Sequence, residues 1–190
     1  MTNQIHIAAQ YLATAGINFL TKKDDDSHTN LGFNGKNGYL ETWPLNDKGY
    51  KLALDYTQFS LRWLTGDENE QAILLDGKTH KEVVQWIDKV TTVLGTESPY
   101  HYQLHYDLPY RKITDEFVFH KPSSEALNAL LEVRIIAQNA LESIVKQLDL
   151  DTDIRIWPHH FDTCGYAVLD AVKNISVGFG LAIPDSLVDN

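Results

Sequence analysis

The sequence predicts a single α+β domain, made mainly of antiparallel sheet with a long helix of its C-terminal half packed on it. Turn-forming residues divide residues 31–75 into short apolar stretches, which is typical of an antiparallel meander. Residues 123–148 carry apolar side chains at helical spacing without a break. The chain has 190 residues, the usual size of one domain. Because helix and strands recur in the same order, the pattern leaves open two similar halves, about 1–95 and 96–190, that share one core.

Two shorter helices are expected before the long one. Apolar residues recur at helical spacing from Ile5 to Ala15, and Gly16 is expected to end that helix. Thr79 and Glu82 have the spacing of a capping box, in which each side chain bonds the backbone N–H of the other residue. A second helix is therefore expected to begin there and to end at Gly95.

The long helix is expected to begin at Ser123, directly after Pro122, and to reach Leu148. Leucine, isoleucine and alanine cover a wide arc of this helix. Such an arc predicts burial on more than one side of the helix.

Four runs of residues predict strands in and after the meander. Residues 50–57 and 100–107 alternate apolar with polar side chains, so each run is expected to present one buried and one wetter face. Residues 154–157 predict a strand that leads into a histidine-rich motif. The final run, 175–183, alternates large with small residues, so its small face would let a backbone, a helix or a ligand approach closely.

The charge balance argues against nucleic acid as a ligand. The chain has 26 acidic and 16 basic residues and a net charge of -10, which repels phosphate groups. No cluster of Lys and Arg offsets this charge, because Lys22 and Lys23 are followed directly by Asp24, Asp25 and Asp26.

Cysteine content and hydropathy favour a cytoplasmic protein. Cys164 is the single cysteine, which excludes an intrachain disulfide and a cysteine-based zinc site. The first residues show no basic region followed by an apolar run, and no stretch approaches the ~18 apolar residues that a membrane span needs. We therefore expect a cytoplasmic protein that is not inserted in a membrane. The sequence leaves its oligomeric state open.

The clearest candidate site is the motif Trp157-Pro158-His159-His160-Phe161-Asp162, where two imidazoles and a carboxylate lie between aromatic residues. If the segment stays extended, His160 and Asp162 point to the same side, and His159 points to the other. His160 and Asp162 are then the candidate catalytic pair, in which the carboxylate orients the imidazole for acid–base chemistry.

A metal site is one interpretation of this pair. His160 and Asp162 would face His105 and Asp107 across a sheet, which gives enough ligands for a divalent cation. The competing interpretation is that the histidine and aspartate side chains satisfy each other at a buried strand end and only stabilise the fold. The pattern leaves both interpretations open.

Cys164 is a second candidate for chemistry. A reactive thiolate at this position would require a basic neighbour, which His159 or His160 could supply. A lone cysteine is more often a small buried apolar residue, and this is the favoured interpretation.

The second half of the chain resembles an uncharacterised bacterial protein family. The resemblance rests on His105-Tyr106-Asp107-Leu108-Pro109, a long helix, the six-residue motif and a strand with Gly178-Phe179-Gly180. The six-residue motif is its specific part, and the first half is similar only in general layout. The family has no established activity, so the resemblance implies positions rather than a reaction. These positions, which add one histidine to the candidate metal ligands, are His105, Asp107, His159, His160 and Asp162.

From the sequence we expect a protein with a small-molecule or divalent-metal site built from these His and Asp residues, with hydrolysis as the first reaction to test. The alternative is a non-catalytic binding or interaction protein in which the same residues are structural. In that case His160→Ala and Asp162→Ala would both lower the melting temperature through loss of a buried partner.

Overall fold

The computed structural model describes residues 2–66, 71–94 and 98–182. The helices are α1 (Thr2–Phe19), α2 (His80–Leu94) and α3 (Ser124–Gln147), and a short 3-10 helix spans Ser27–Thr29. The strands are β1 (Gly32–Asn34), β2 (Tyr39–Glu41), β3 (Lys51–Asp55), β4 (Ser60–Leu64), β5 (Gln71–Leu74), β6 (Arg155–Trp157), β7 (Asp162–Asp170) and β8 (Ile175–Leu181). The predicted α+β class is confirmed, and the long helix lies in the C-terminal half as expected.

The strands form two antiparallel sheets that meet edge to edge. β1 to β5 form a five-stranded sheet in chain order, which confirms the predicted meander, and β6 to β8 form a three-stranded sheet. Leu31, just before β1, exchanges two backbone hydrogen bonds with Ile156 of β6, at 2.9 and 2.8 Å. The loop before β1 therefore lies beside the strand that leads into the histidine motif.

The core lies where α1 and α2 cover the larger sheet. Its fully buried residues include Leu12 of α1, Leu54 of β3 and Ile87 of α2. Ile156 and Phe161, from the C-terminal half, belong to the same apolar cluster. Among the described residues, no helix combines the length and the apolarity that crossing a membrane requires.

Gly16 lies inside α1 rather than at its end. A Cβ atom at this position would be 2.7 Å from the backbone oxygen of His28. Glycine is thus needed for the close approach of the 3-10 helix, and α1 continues to Phe19. The prediction that Gly16 ends the helix is wrong, because a glycine that permits a close contact looks the same in sequence as one that stops a helix.

The capping box at the start of α2 is confirmed. The Thr79 hydroxyl accepts a hydrogen bond from the N–H of Glu82 at 3.2 Å, and a Glu82 carboxylate oxygen accepts one from the N–H of Thr79 at 2.8 Å. The Thr79 N–H, then the Lys78 ammonium and the Thr79 hydroxyl, lower the pKa of the Glu82 carboxyl to about 2. Gly95, the expected end of this helix, lies outside the described residues.

Helix α3 begins as predicted but is buried on one side only. Ser123 caps it by accepting a hydrogen bond from a backbone N–H of the first turn at 3.3 Å. Leu127 and Leu141 are buried, whereas Ile136 and Leu148 are 68% and 64% exposed. The expected burial on more than one side is wrong, because β7 and β8 pack on one side of α3 and no described element covers the exposed residues.

Strand β3 is buried on both faces rather than on one. Leu52 and Leu54 are buried as expected, but Ala53 and Asp55 are also buried, on the face that was expected to be wetter. The Asp55 carboxylate accepts a hydrogen bond from the backbone N–H of Thr57 at 2.9 Å, and its second oxygen pairs with Arg62 at 3.2 Å. A buried carboxylate is tolerated here because both of its oxygens have partners.

Residues 100–107 do not form a strand, which corrects the prediction. Their burial alternates as expected, but the backbone at the start of the run is bonded by side chains of neighbouring helices. The N–H of Tyr100 donates to Asp88 at 2.9 Å, and the N–H and C=O of His101 bond the Asn18 amide at 2.8 and 3.0 Å. The alternation reflects one side facing the helices and one facing solvent. We call residues 100–110 the tyrosine segment.

Candidate functional site

The histidine motif forms the loop of the hairpin between β6 and β7. Trp157 pairs with Asp162, and the N–H of Phe161 donates to the C=O of Trp157 at 2.8 Å. Phe161 closes the loop with a φ of 65°, in the left-handed region. The motif is therefore not extended as the face assignment required. His159 and His160 lie together in the loop, with ring centres 4.5 Å apart.

The loop is held by a polar contact with the first helix. The C=O of Pro158 accepts hydrogen bonds from the His6 ring at 2.7 Å and from the Gln10 amide at 2.9 Å. His6 also stacks on the Phe161 ring at 4.8 Å and bonds the Tyr110 hydroxyl at 2.9 Å. These contacts of Pro158 and Phe161 fix the hairpin loop against α1.

Four of the five candidate metal ligands lie in one region. His105 forms an ion-pair contact with Asp26 at 3.3 Å. Burial and then the charge of His160 lower the pKa of His159; His105 adds to this effect, and Asp162 opposes it. His105, His159, His160 and Asp162 are therefore close enough to influence one another electrostatically.

Asp107 lines a cavity that none of these four residues lines, described below. Asp162 lines a groove formed in part by residues of β6, β7 and β8. Among the described residues, no three His, Cys, Asp or Glu side chains converge closely enough to hold a metal ion. The metal site predicted from the sequence therefore gains no support from the geometry.

Cys164 lies on β7 and is half-buried. Burial, and then the nearby Asp162 carboxylate, raise the pKa of its thiol to about 11. The thiol is therefore protonated near neutral pH, which disfavours the nucleophile interpretation.

A cavity of about 620 Å³ lies between α1, the start of α2 and the tyrosine segment; we call it the tyrosine cavity. Three charged residues, Asp107, Arg111 and Lys112, stand exposed at its edge. Aromatic and aliphatic side chains form most of its wall. The principal wall residues are Ile7, His80, Tyr102, Leu104, Tyr106 and Tyr110.

His80 is the buried polar residue of this cavity, with 8% of its surface exposed. Its Nδ1 lies 2.7 Å from the Tyr11 hydroxyl. Burial raises the pKa of Tyr11 far above its ordinary value, so the phenol stays protonated. The described residues offer that hydroxyl no acceptor other than Nδ1, and an unpaired buried donor is costly. The Tyr11 O–H therefore donates to Nδ1.

The proton of the neutral His80 ring consequently lies on Nε2. Burial lowers the pKa of His80, against the opposing charge of Asp115, which keeps the ring neutral near pH 7. No described residue accepts a hydrogen bond from Nε2, and this atom is not among those sealed from solvent. His80, which lines the cavity, therefore carries an N–H donor that is not sealed from solvent.

Tyr102, which lines the same cavity, carries a second hydrogen-bond donor. Its ring stands edge-on to His80, with ring centres 4.6 Å apart. Burial raises the pKa of Tyr102 well above its ordinary value, so its hydroxyl is a donor at neutral pH. This hydroxyl has no partner among the described residues, unlike that of Tyr106, which donates to Gln10 at 2.7 Å.

The groove on the three-stranded sheet differs from the tyrosine cavity, because its cation already has partners within the protein. It has a volume of about 740 Å³, and its main cation is Arg155. The Arg155 side chain donates to Asn30 at 2.9 Å and stacks on Trp43 at 3.7 Å. Burial lowers the pKa of Arg155 to about 10. This guanidinium thus joins β6 to the loop before β1 and serves the fold.

A second buried arginine forms hydrogen bonds with the hairpin between β6 and β7. Arg134 of α3 is fully buried; it donates to the C=O of Phe161 and to the hydroxyl of Thr163. Its guanidinium lies 4.2 Å from the centre of the Phe161 ring. No described carboxylate pairs with it, so carbonyl and hydroxyl oxygens and the aromatic face stabilise the charge.

The residues that shape these sites most strongly, His6, His80 and Arg134, were not among the sequence candidates. For two of them, His6 and Arg134, the sequence pattern could have indicated an important buried position. His6 lies within the apolar stripe of α1, and Arg134 lies midway between the buried Leu127 and Leu141 of α3. A polar residue within a buried stripe must find partners, which marks it as a structural or functional anchor.

No protein-family model, curated protein or solved structure matches the chain. The resemblance to a bacterial family therefore stays a prediction. What the protein does has to be inferred from the geometry of its described residues.

Proposed function

We propose that the protein binds a small organic molecule in the tyrosine cavity and does so without catalysis. The observation that carries the proposal is buried His80, which lines the cavity and whose Nε2–H has no partner among the described residues. A buried donor left unpaired costs free energy, and a ligand acceptor would relieve that cost.

The size and the wall of the cavity fit this role. Its volume of about 620 Å³ lies within the range of small-molecule sites. Its wall combines three tyrosines with aliphatic side chains, as ligand pockets do when a few polar groups set the orientation. Binding is favoured over acid–base catalysis because burial raises the pKa values of Tyr102 and Tyr106, so that both phenols act as donors and not as bases.

The experiment is a titration with a neutral aromatic probe, naphthalene-1-acetamide, followed by amide chemical shifts in 15N-labelled protein. We expect saturable shifts at His80, Tyr102 and Leu104, and none at Gly178 of the small-sheet groove. Saturable shifts confined to the groove, or no saturable shift anywhere, would contradict the proposal.

A matched pair of variants tests whether the probe binds in the tyrosine cavity or in the groove. Leu108→Trp enlarges a half-buried wall residue of the tyrosine cavity, and Leu181→Trp makes the same change in the groove. We expect the first variant to weaken probe binding at least tenfold and the second to leave it unchanged. Equal binding by both folded variants would place the ligand elsewhere.

A further inference from the structure

We infer that the ligand of the tyrosine cavity is an organic carboxylate with a flat aromatic body. This inference rests on the proposed function and adds the chemical class of the ligand. It follows from three features of the cavity: two inner donors, an excess of positive charge at the edge, and an aromatic wall.

The inner donors select a hydrogen-bond acceptor. His80 and Tyr102 line the same cavity with adjoining rings, and neither the Nε2–H of His80 nor the O–H of Tyr102 has a partner among the described residues. The tautomer of His80 is fixed by Tyr11, so Nε2 donates and does not accept. A ligand group that offers two acceptor oxygens, as a carboxylate does, can bond both donors at once.

The edge of the cavity selects negative charge. Arg111 and Lys112 outnumber the one acidic residue of the lining, Asp107. Neither cation forms an ion pair with a described residue. In a chain with a net charge of -10 such a local excess is unusual, and it offsets the repulsion that an anion meets elsewhere on the surface.

The wall selects a flat apolar body. Tyr102, Tyr106 and Tyr110 present aromatic surface, and Ile7 and Leu104 complete an apolar lining. Aromatic pairs gain free energy beyond simple area burial when they stack or meet edge to face. A compound with an aromatic ring and a carboxylate therefore matches the body and the inner end of the cavity.

The test compares naphthalene-1-acetate with naphthalene-1-acetamide by isothermal titration calorimetry of the whole protein. The two probes have the same shape and differ in charge. We expect the acetate to bind roughly tenfold more tightly, since hydrogen bonds to a charged group are stronger than those to a neutral one. If both bind equally, the cavity is a small-molecule site and the carboxylate assignment is wrong. If neither binds, the proposed function fails as well.

Amino-acid substitutions test which residues cause the preference for naphthalene-1-acetate over the acetamide. Tyr102→Phe should remove most of the preference for the acetate, while Tyr166→Phe, an exposed tyrosine of β7, should leave it intact. Arg111→Gln combined with Lys112→Gln should lower acetate affinity several-fold without changing that of the acetamide, and added salt should have the same effect on the wild type. A preference that survives all of these changes would overturn the assignment.

Discussion

Strand β3 and the tyrosine segment share an alternation of apolar and polar side chains, yet they are held in different ways. β3 exchanges backbone hydrogen bonds with β2 on one side and β4 on the other. In the tyrosine segment, the backbone of Tyr100 and His101 is bonded by Asp88 and Asn18, and the hydroxyls of Tyr100 and Tyr106 bond α1. Alternation therefore tells which side chains face inward, and it does not tell what satisfies the backbone.

This difference has an energetic consequence. A strand in a sheet loses stability mainly when its apolar contacts are removed, because its backbone bonds persist. A segment or loop held by side chains depends on single polar residues whose loss frees a stretch of backbone. The hairpin loop belongs to the second kind, because His6, Gln10 and Arg134 hold it.

The largest effect is expected from Arg134→Ala. The change leaves the C=O of Phe161 and the hydroxyl of Thr163 without their partner and opens a cavity beneath the hairpin. We expect the free energy of unfolding to fall by about 4 kcal/mol. Val133→Ala, an exposed neighbour on α3, is the control and should change it by less than about 0.5 kcal/mol. A small loss for Arg134→Ala, measured by urea unfolding, would show that the hairpin does not depend on this side chain.

Leu54→Ala tests how strongly strand β3 depends on its apolar contacts, in comparison with the tyrosine segment. Leu54 is fully buried in β3, so we expect a loss of about 3 kcal/mol with cooperative unfolding of the whole protein. Leu104→Ala, in the tyrosine segment, removes the same atoms from a half-buried site and should cost about 1 kcal/mol. Equal losses would mean that the tyrosine segment is packed as tightly as the sheet.

Asn18→Ala should release part of the tyrosine segment without unfolding the sheet. The amide of Asn18 bonds both backbone groups of His101, so its loss should cost about 1–2 kcal/mol. Hydrogen exchange should become fast at the His101 amide and stay slow at Leu54. Asn128→Ala, at an exposed position of α3, should leave both rates unchanged. Loss of protection at Leu54 as well would show that segment and sheet open together.

The smallest effect is a loss of stability in mild acid. The pKa values of His28, His80 and His159 lie below the ordinary value of 6.5, and burial is the main cause for each. The unfolded chain therefore takes up these protons at a higher pH than the folded protein does, so stability falls as the pH drops below about 6.5. The fall stops once the folded histidines are also protonated.

Urea titrations at a series of pH values measure this dependence. His80→Phe should make the slope of stability against pH shallower in that window, whatever its effect on stability at neutral pH. A slope that is unchanged by the substitution, or a stability that rises on acidification, would contradict the assignment of neutral His80.

Local sequence signals determined the parts of this fold that depend on neighbours in the chain. The capping box of Thr79 and Glu82, the Ser123 cap and the turns of the meander all act within a few residues, so the sequence predicted them. The alternation of residues 100–107 also correctly separated inward from outward side chains. These features follow from backbone geometry and side-chain period alone.

Only the tertiary structure decided which distant groups meet. Gly16 allows the 3-10 helix to pack closely against α1, and Arg134 and His6 bond Phe161 and Pro158 in the loop of the histidine motif. The donor on His80 is defined by Tyr11, 69 residues earlier in the chain. Such contacts join elements that are far apart in the sequence. Local patterns of apolar and polar residues do not predict which distant elements come together. The tyrosine cavity is therefore formed by tertiary contacts, and the identities of its residues did not reveal it in the sequence.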